Sequence, residues 1–166
     1  MNAEQDQKIL DIGCGPGYML EFLPKVDYTG VDIDQDYINQ AMSNYGDKAR
    51  FICSDISSLE LNDIGTYDIV SAAGVLHHLN DKACIQLFEV AKKALKPGGK
   101  FVSMDGCYTK NQNKIARFFL DKDRGEFVRT QDEYTTLAEQ VFVHVSSYID
   151  ESYFRIPYTS IIMECR

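Results

Sequence analysis

The fold is decided by one stretch, Ile9-Leu10-Asp11-Ile12-Gly13-Cys14-Gly15-Pro16-Gly17-Tyr18-Met19-Leu20. It begins as a short apolar run, passes through glycine at every second position, and continues with the apolar spacing of a helix. Glycine tolerates positive φ and lets a ligand approach the backbone closely. A strand that leads into such a turn, with a helix behind it, predicts the opening of a nucleotide-binding α/β unit.

The glycine spacing discriminates between two cofactor classes. A dinucleotide fingerprint would require glycine where the chain has Tyr18, and this disfavours a nicotinamide-dependent reductase. The pattern present, Asp11-x-Gly13-x-Gly15-x-Gly17, resembles the first motif of class I S-adenosylmethionine-dependent methyltransferases. A glycine-rich turn without a ligand is the alternative, and later residues must decide between the two.

The resemblance implies that one loop lies under the methionine part of S-adenosylmethionine and that Asp11 helps to organise it. The cofactor-binding residues of that loop are then Asp11, Gly13, Cys14, Gly15 and Gly17. After methyl transfer the same site would hold the product, S-adenosylhomocysteine.

A second candidate group ends the second predicted strand, Asp27–Ile33. One carboxylate can accept both hydroxyl protons of a ribose diol. The resemblance implies this role for Asp32, with Ile33 over one face of the adenine. The alternative is that Asp32 or Asp34 caps the following helix, and we assign the cap to Asp34.

Two further groups follow later predicted strands. After Arg50–Cys53, the resemblance implies that Asp55 accepts a hydrogen bond from the adenine amino group. Ile56 would then offer the ring an apolar contact or a backbone N–H. A turn-forming aspartate is the alternative to the role of Asp55.

After Tyr67–Ala73, the small residues Ala73 and Gly74 would let the backbone approach the methionine end of the cofactor.

His77 and His78 are the candidate catalytic residues on the acceptor side. Adjacent residues do not share a helix face, so at most one is expected to point into the site. Their spacing is not that of a helical metal pair, and no metal is predicted. Imidazole titrates near neutrality and could accept a proton from the acceptor; local capping or packing is the alternative.

The remaining pattern predicts a doubly wound α/β fold in a single domain, residues 1–166. We expect a mostly parallel seven-stranded sheet with an antiparallel last strand and helices on both faces. Six further helices and strands are expected after the glycine turn and its helix. They are a helix Gln35–Tyr45, a helix from Asn80 or Asp81 to Lys96, a strand Lys100–Asp105, a helix Gln131–Gln140, and two closing strands, Phe142–Ile149 and Thr159–Cys165.

The resemblance implies that residues 106–130 form a variable segment on the acceptor side. They contain six basic and three acidic residues in an acidic chain, with aromatic residues between them. A basic, aromatic lid would suit an anionic or aromatic small molecule, and Arg124 and Arg129 are its candidate ligands. The alternative is a solvated amphipathic helix, Lys114–Leu120.

Composition excludes several classes of partner. The formal net charge of −8 disfavours a broad nucleic-acid footprint, because such binding depends on Lys and Arg. No run reaches the roughly 18–20 apolar residues of a membrane-spanning helix, and the polar start is not a signal peptide. The five cysteines contain no C-x-x-C pair, so we expect reduced thiols in the cytoplasm.

The expected function is direct methyl transfer from S-adenosylmethionine to a small-molecule acceptor. Only eight residues precede Ile9, whereas members of this family usually carry an N-terminal segment that covers the cofactor. We therefore expect a trimmed or minimal core, a homo-oligomer, or a chain covered by a partner subunit. A cofactor-binding protein without its own activity is the alternative. Aminopropyl transfer uses a related fold, but no acidic polyamine-binding cluster favours it.

Overall fold

The computed structural model describes residues 2–56, 66–123 and 125–166. Its strands are β1 (Lys8–Ile12), β2 (Asp27–Asp32), β3 (Arg50–Cys53), β4 (Tyr67–Ala73), β5 (Leu95–Tyr108), β6 (Arg129–Thr130), β7 (Val145–Asp150) and β8 (Ser160–Cys165). Within these residues, the main sheet has the order β3-β2-β1-β4-β5-β8-β7, and the short β6 pairs with the end of β5. β8 is antiparallel to both neighbours and the other pairings are parallel. The predicted architecture is confirmed.

Helices and short turns connect the strands. The helices are α1 (Gln35–Tyr45), α2 (Asp81–Ala94), α3 (Lys114–Lys122) and α4 (Gln131–Glu139), and two 3-10 turns cover Tyr18–Phe22 and Leu76–His78. Each helix begins where a short polar side chain accepts a backbone N–H, which satisfies donors that the first turn leaves unpaired. These capping residues are Asp34, Asn80, Asn113 and Thr130.

The core lies between the central strands and α2. Ile9, Leu10 and Ile12 of β1 are buried, as parallel strands covered on both faces require. α2 buries an apolar stripe formed by Cys84, Leu87, Phe88, Ala91 and Ala94. This packing fixes β1 and β4 side by side, so the carboxyl ends of β1, β2 and β4 meet at one edge of the sheet.

Several boundaries differ from prediction: β5 extends to Tyr108 and does not end at Asp105, and β7 begins at Val145 and not at Phe142. The first helix is only a 3-10 turn, in which Tyr18 and Phe22 are 57% and 84% exposed, so its predicted apolar face is not buried. α2 ends at Ala94, not at Lys96, and β5 begins at once with Leu95. Pro97 explains the earlier end, because the residue before proline avoids the helical conformation.

In the described part of the chain, no helix combines the length and apolar character that crossing a membrane requires.

Candidate active site

The glycine loop, residues 13–17, has the backbone conformation that its sequence predicts. Gly13, Gly15 and Gly17 all have positive φ, at 71°, 53° and 80°. A Cβ on Gly13 would overlap the Val75 side chain, whereas a Cβ on Gly15 would meet no atom within 4 Å. Packing inside the protein therefore requires glycine at position 13, while the space above Gly15 is open to a ligand.

Asp11 lies beneath this loop and not in the open space above it. Its carboxylate accepts hydrogen bonds from the hydroxyls of Tyr28 (2.6 Å) and Ser71 (2.7 Å) and is 2% exposed. Burial raises the pKa of Asp11 to about 6, against the lowering effect of these two bonds. Asp11 thus joins β1 to β2 and β4 below the loop. From this position it can hold the loop in place without contacting a ligand.

Cys14 contributes backbone to the loop, because its thiol faces the sheet. A Cβ on Gly30 would lie only 2.7 Å from Cys14 Sγ, and Cys14 is 8% exposed. Burial raises the pKa of this thiol, which keeps it protonated. The N–H groups of Gly13 and Cys14 both donate to Val31 O, at 2.8 and 3.1 Å, and tie the loop to β2.

Asp32 faces the loop across the crevice between β1 and β2. Its Oδ2 accepts the N–H of Gly15 at 2.8 Å, and its Oδ1 accepts the N–H of Asp34 at 2.9 Å. Asp34, as predicted, caps α1 by accepting the N–H groups of Asp36 and Tyr37. Asp32 is therefore not the helix cap, and the lone pairs it does not use remain for a ligand.

A cavity of about 170 Å³ joins the second and third candidate groups. Asp32 and Asp55 provide carboxylates, and apolar side chains provide most of the wall, with Ile33 71% exposed at its rim. This combination fits a nucleoside, which presents a diol and a flat apolar ring. The cavity is lined by Ile12, Gly13, Val31, Asp32, Ile33, Ser54, Asp55, Ile56, Val75, Leu79 and Leu87.

Ala73 is the last residue of β4, and Gly74 follows it. Gly74 has φ of 71° and donates its N–H to Met104 O at 2.8 Å. A Cβ on Gly74 would lie 3.9 Å from His77 Cε1. The small residues predicted to border the methionine end of the cofactor therefore also border the candidate catalytic histidines.

His77 is buried and held by two aspartates. Its Nδ1 lies 2.8 Å from Asp105 Oδ1, which also accepts the His77 backbone N–H at 3.2 Å, and its Nε2 lies 3.6 Å from Asp123 Oδ1. Burial alone would lower the pKa of His77, but the hydrogen bond and charge of Asp105, with the charge of Asp123, raise it. His77 is therefore held as a positioned imidazole, beside the position predicted for the acceptor.

His78 lies beside His77 and is exposed. The two rings are 4.1 Å apart between centroids and tilted by 40°. Partial desolvation and the charge of His77 lower the pKa of His78. His77 is buried whereas His78 is exposed, although Leu76–His78 is a tight 3-10 turn that brings the two rings together. Donor atoms of His77, His78 and Asp123 lie within 4.8 Å of one another.

Arg129 anchors the acceptor-side segment and is not placed to bind an acceptor. Its guanidinium is 7% exposed and donates to the carbonyls of Leu76 (3.1 Å) and Leu79 (2.7 Å). It also donates to Phe127 O at 2.9 Å and to Asp81 at 2.7 Å. The segment is thereby fixed to the histidine turn. Arg124 lies outside the described residues.

The rest of the segment matches the amphipathic-helix alternative more closely. Ala116 and Leu120 of α3 are buried, while Arg117 pairs with Asp121 at 3.0 Å in an exposed position. Phe118 and Phe119 are 56% and 37% exposed. The structure thus brings the segment to the site through Asp123 and Arg129 and leaves the cations of α3 facing water.

Sequence reasoning missed three side chains of this site, namely Asp105, Asp123 and Tyr158. Tyr158 donates its hydroxyl to Asp123 Oδ2 at 3.1 Å. Asp105 had one readable signal, a carboxylate at the end of an apolar strand. Asp123 and Tyr158 had none, because their roles arise from contacts between residues far apart in the chain.

Fold and site together define a class, an α/β protein whose candidate nucleoside site lies at the carboxyl ends of β1, β2 and β3. The sequence matches the protein family described as "Methyltransferase domain" over residues 9–99. The chain therefore belongs to the class I S-adenosylmethionine-dependent methyltransferases, whose cofactor is S-adenosylmethionine. The family and cofactor predictions are confirmed.

Individual relatives agree with this assignment. The chain is 34% identical over 114 residues to phosphoethanolamine N-methyltransferase 3 of Arabidopsis thaliana, covering 64% of this chain and 22% of that protein. It is 27% identical over 154 residues to the malonyl-[acyl-carrier protein] O-methyltransferase of Priestia megaterium, covering 84% and 54%. The chain thus spans between about a fifth and about half of the length of these curated relatives.

The fold is shared with solved structures of lower identity. An S-adenosylmethionine-dependent methyltransferase from Methanosarcina mazei superposes with a TM-score of 0.75 at 21% identity. The match covers 99% of this chain and 94% of that one.

Proposed function

We propose that this chain transfers the methyl group of S-adenosylmethionine to a small-molecule acceptor. The observation that carries the proposal is the cavity beside Asp32, which combines a carboxylate for the ribose with apolar walls for the adenine. In this proposal Asp32 binds the ribose hydroxyls, Asp55 binds the adenine amino group, and Ile33 and Ile56 cover the ring.

The bound cofactor supplies an electrophilic methyl group, so the acceptor's lone pair forms the new bond as the carbon–sulfur bond breaks and its electrons stay on sulfur. The protein must mainly align the partners and exclude water. The glycine loop holds the methionine end from below, through open space above Gly15. Gly74 and the histidine turn bound the acceptor side, where His77 lies 3.9 Å from a Cβ built on Gly74.

The net charge and the relatives' names support the proposed class of acceptor. A net charge of −8 opposes polyanionic substrates. The named relatives act on phosphoethanolamine and on a malonyl group carried by acyl-carrier protein, which present an amine and a carboxylate. Both are small methyl-accepting groups, and they support a small-molecule or carrier-bound acceptor without choosing nitrogen or oxygen.

Calorimetric titration with S-adenosylmethionine and, separately, with S-adenosylhomocysteine tests the proposal. We expect each to bind with one site per chain at micromolar affinity. An acceptor screen with amines and carboxylates, read by S-adenosylhomocysteine formation, then follows. A chain that binds neither compound would contradict the proposed cofactor site.

A second candidate function is a cofactor-binding subunit that needs a partner for activity. The surface around the glycine loop favours it, because Tyr18, Phe22 and Ile33 are 57%, 84% and 71% exposed beside the cofactor position. Such apolar exposure suits a covering segment or subunit. Cofactor binding with no turnover by the isolated chain, and turnover restored by cell extract, would support this candidate over the first.

A further inference from the structure

The histidine turn carries a donor set that the methyltransferase assignment does not use. We propose that His77, His78 and Asp123 bind a divalent transition-metal ion, best matched by zinc, on the acceptor side of the site. One ligand atom from each residue lies within 4.8 Å of the others. Two imidazoles and a carboxylate are the donors of zinc sites that keep an open coordination position.

The proposed ligand residues are themselves held by hydrogen bonds, as is usual in metal sites. His77 Nδ1 lies 2.8 Å from Asp105 Oδ1, which orients the ring and leaves Nε2 facing Asp123. The 3.6 Å between Nε2 and Asp123 Oδ1 is longer than a hydrogen bond. Tyr158 in turn donates to the other oxygen of Asp123 at 3.1 Å. Metal-binding histidines and carboxylates are usually held in this way from behind.

Local charge also favours a cation. Asp105 is 3% exposed, and its Oδ2 has no hydrogen-bond partner among the described residues. Within those residues, neither Asp105 nor Asp123 forms an ion pair with lysine or arginine; both face His77. Two carboxylates thus share one imidazole, and a divalent ion would balance the excess negative charge.

The geometry needs only a small contraction. Zinc–nitrogen and zinc–oxygen bonds are about 2.0–2.2 Å, so donors around one ion lie roughly 3.5 Å apart. The set must therefore close by roughly 1 Å. His78 is exposed and Asp123 is partly exposed, so both can move, whereas His77 is fixed by Asp105.

The proposed ion would act on the acceptor, and this part rests on the proposed methyl transfer. A hydroxyl acceptor in the open position would lose its proton to solvent, because the ion lowers the pKa of that hydroxyl. Its oxygen would then form a bond to the methyl carbon while the carbon–sulfur electrons remain on sulfur. The ion would thus do the work that sequence alone assigned to a histidine base.

The test is metal binding by the whole chain without cofactor. We expect the metal-free protein to bind one Zn²⁺ per chain in calorimetry, and Co²⁺ to give visible d–d absorption. His78→Gln and Asp123→Asn should each weaken Zn²⁺ binding at least tenfold. The controls are His144→Gln, which removes the remaining histidine, and Cys53→Ser, which removes the exposed thiol; both should leave binding unchanged.

Two outcomes would overturn the proposal. One is no stoichiometric Zn²⁺ binding by a chain that is folded by circular dichroism. The other is Zn²⁺ binding that survives both His78→Gln and Asp123→Asn. Titration with S-adenosylhomocysteine, repeated in a chelator, separates this proposal from the proposed function. Cofactor binding without metal binding refutes only the ion, and metal binding without cofactor binding refutes only the methyltransferase site.

Discussion

The two halves of the site differ in which groups shape them: backbone groups in one, side chains in the other. The cofactor half, residues 11–17 with Asp32 and the cavity beside it, is shaped mainly by backbone. Its N–H groups at Gly13, Cys14 and Gly15 bond to β2 or to Asp32. The acceptor half, the histidine turn with residues 105–130, is assembled by side chains from distant segments. His77 meets Asp105, and Arg129 meets the carbonyls of Leu76 and Leu79.

This difference explains why the cofactor half can be predicted from the sequence and the acceptor half cannot. A backbone-shaped site needs particular φ values and close approaches, and those demands leave glycine and aspartate at fixed spacings. A site assembled from side chains needs only that suitable groups meet in space. Many spacings satisfy that demand, so the acceptor half carries no recognisable motif.

The largest expected effect is a loss of stability when the anchor of the acceptor half, Arg129, is removed. Arg129→Ala would remove the guanidinium donor from three buried or partly buried carbonyls, of which Leu76 O keeps the N–H of Leu79, so we expect a loss of about 4 kcal/mol in the free energy of unfolding. Urea denaturation measures it. Arg117→Ala is the matched control, because its exposed pair with Asp121 should contribute about 0.5 kcal/mol or less. Equal losses in the two variants would refute the anchoring role.

The next prediction compares two glycines of the same loop. Gly13→Ala combines positive φ with a clash against Val75, and should cost about 3 kcal/mol of stability. Gly15→Ala should cost roughly 1 kcal/mol, since its Cβ meets no protein atom. That Cβ would instead occupy the space proposed for the cofactor, so S-adenosylhomocysteine binding should fall sharply. Undiminished binding by Gly15→Ala would place the cofactor elsewhere.

A smaller effect is expected on cofactor affinity, and it tests the role of the Asp32 carboxylate. Asp32→Ala should weaken S-adenosylhomocysteine binding by about 2 kcal/mol, because it removes a charge-assisted acceptor for the ribose. Asp34→Ala is the control: it should cost about 1 kcal/mol of stability as a lost helix cap and leave affinity unchanged. Asp55→Ala should weaken binding less than Asp32→Ala. Similar affinities for the Asp32 and Asp34 variants would exclude the ribose assignment.

The smallest expected effect is a pH dependence in the acceptor half. The pKa of His77 is raised above its ordinary 6.5 by Asp105 and Asp123, so the folded state binds the proton more tightly. This contribution to stability is complete below pH 6.5 and disappears as pH rises through the folded-state pKa. Denaturation in chelator across this range should show the decline in the wild type and in His144→Gln, and lose it in His77→Gln. A decline that persists in His77→Gln would assign it to another group.

Sequence predicted the regular parts of the fold closely. The predicted bounds of α1, β3 and β4 agree with the structure, because each has clear periodicity and a polar or glycine boundary. Sequence did not predict the boundaries that depend on pairing with strands distant in the chain. β5 begins at Leu95 because it pairs with Tyr67, and the two-residue β6 exists only because it lies beside Cys107 and Tyr108.

The candidate site divides in the same way. Asp32, Ile33, Asp55 and Ile56 meet at one cavity, as their positions after successive parallel strands predict. The closeness of His77 and His78 was not predictable, because it depends on a 3-10 turn that Arg129 and Phe127 hold from a segment some fifty residues later. Local spacing cannot encode a turn that is fixed from so far away.

The position of β8 has a consequence for how the chain is synthesised. This strand lies between β5 and β7, so residues 160–165 complete the interior of the sheet and not its edge. Until these residues have emerged from the ribosome, β5 lacks its second neighbour in the main sheet, and β7 lacks the one strand with which it pairs among the described residues. Co-translational folding would therefore leave an open, hydrogen-bonding β5 edge exposed until residues 160–165 have emerged, and a chaperone that shields strand edges would act during that interval.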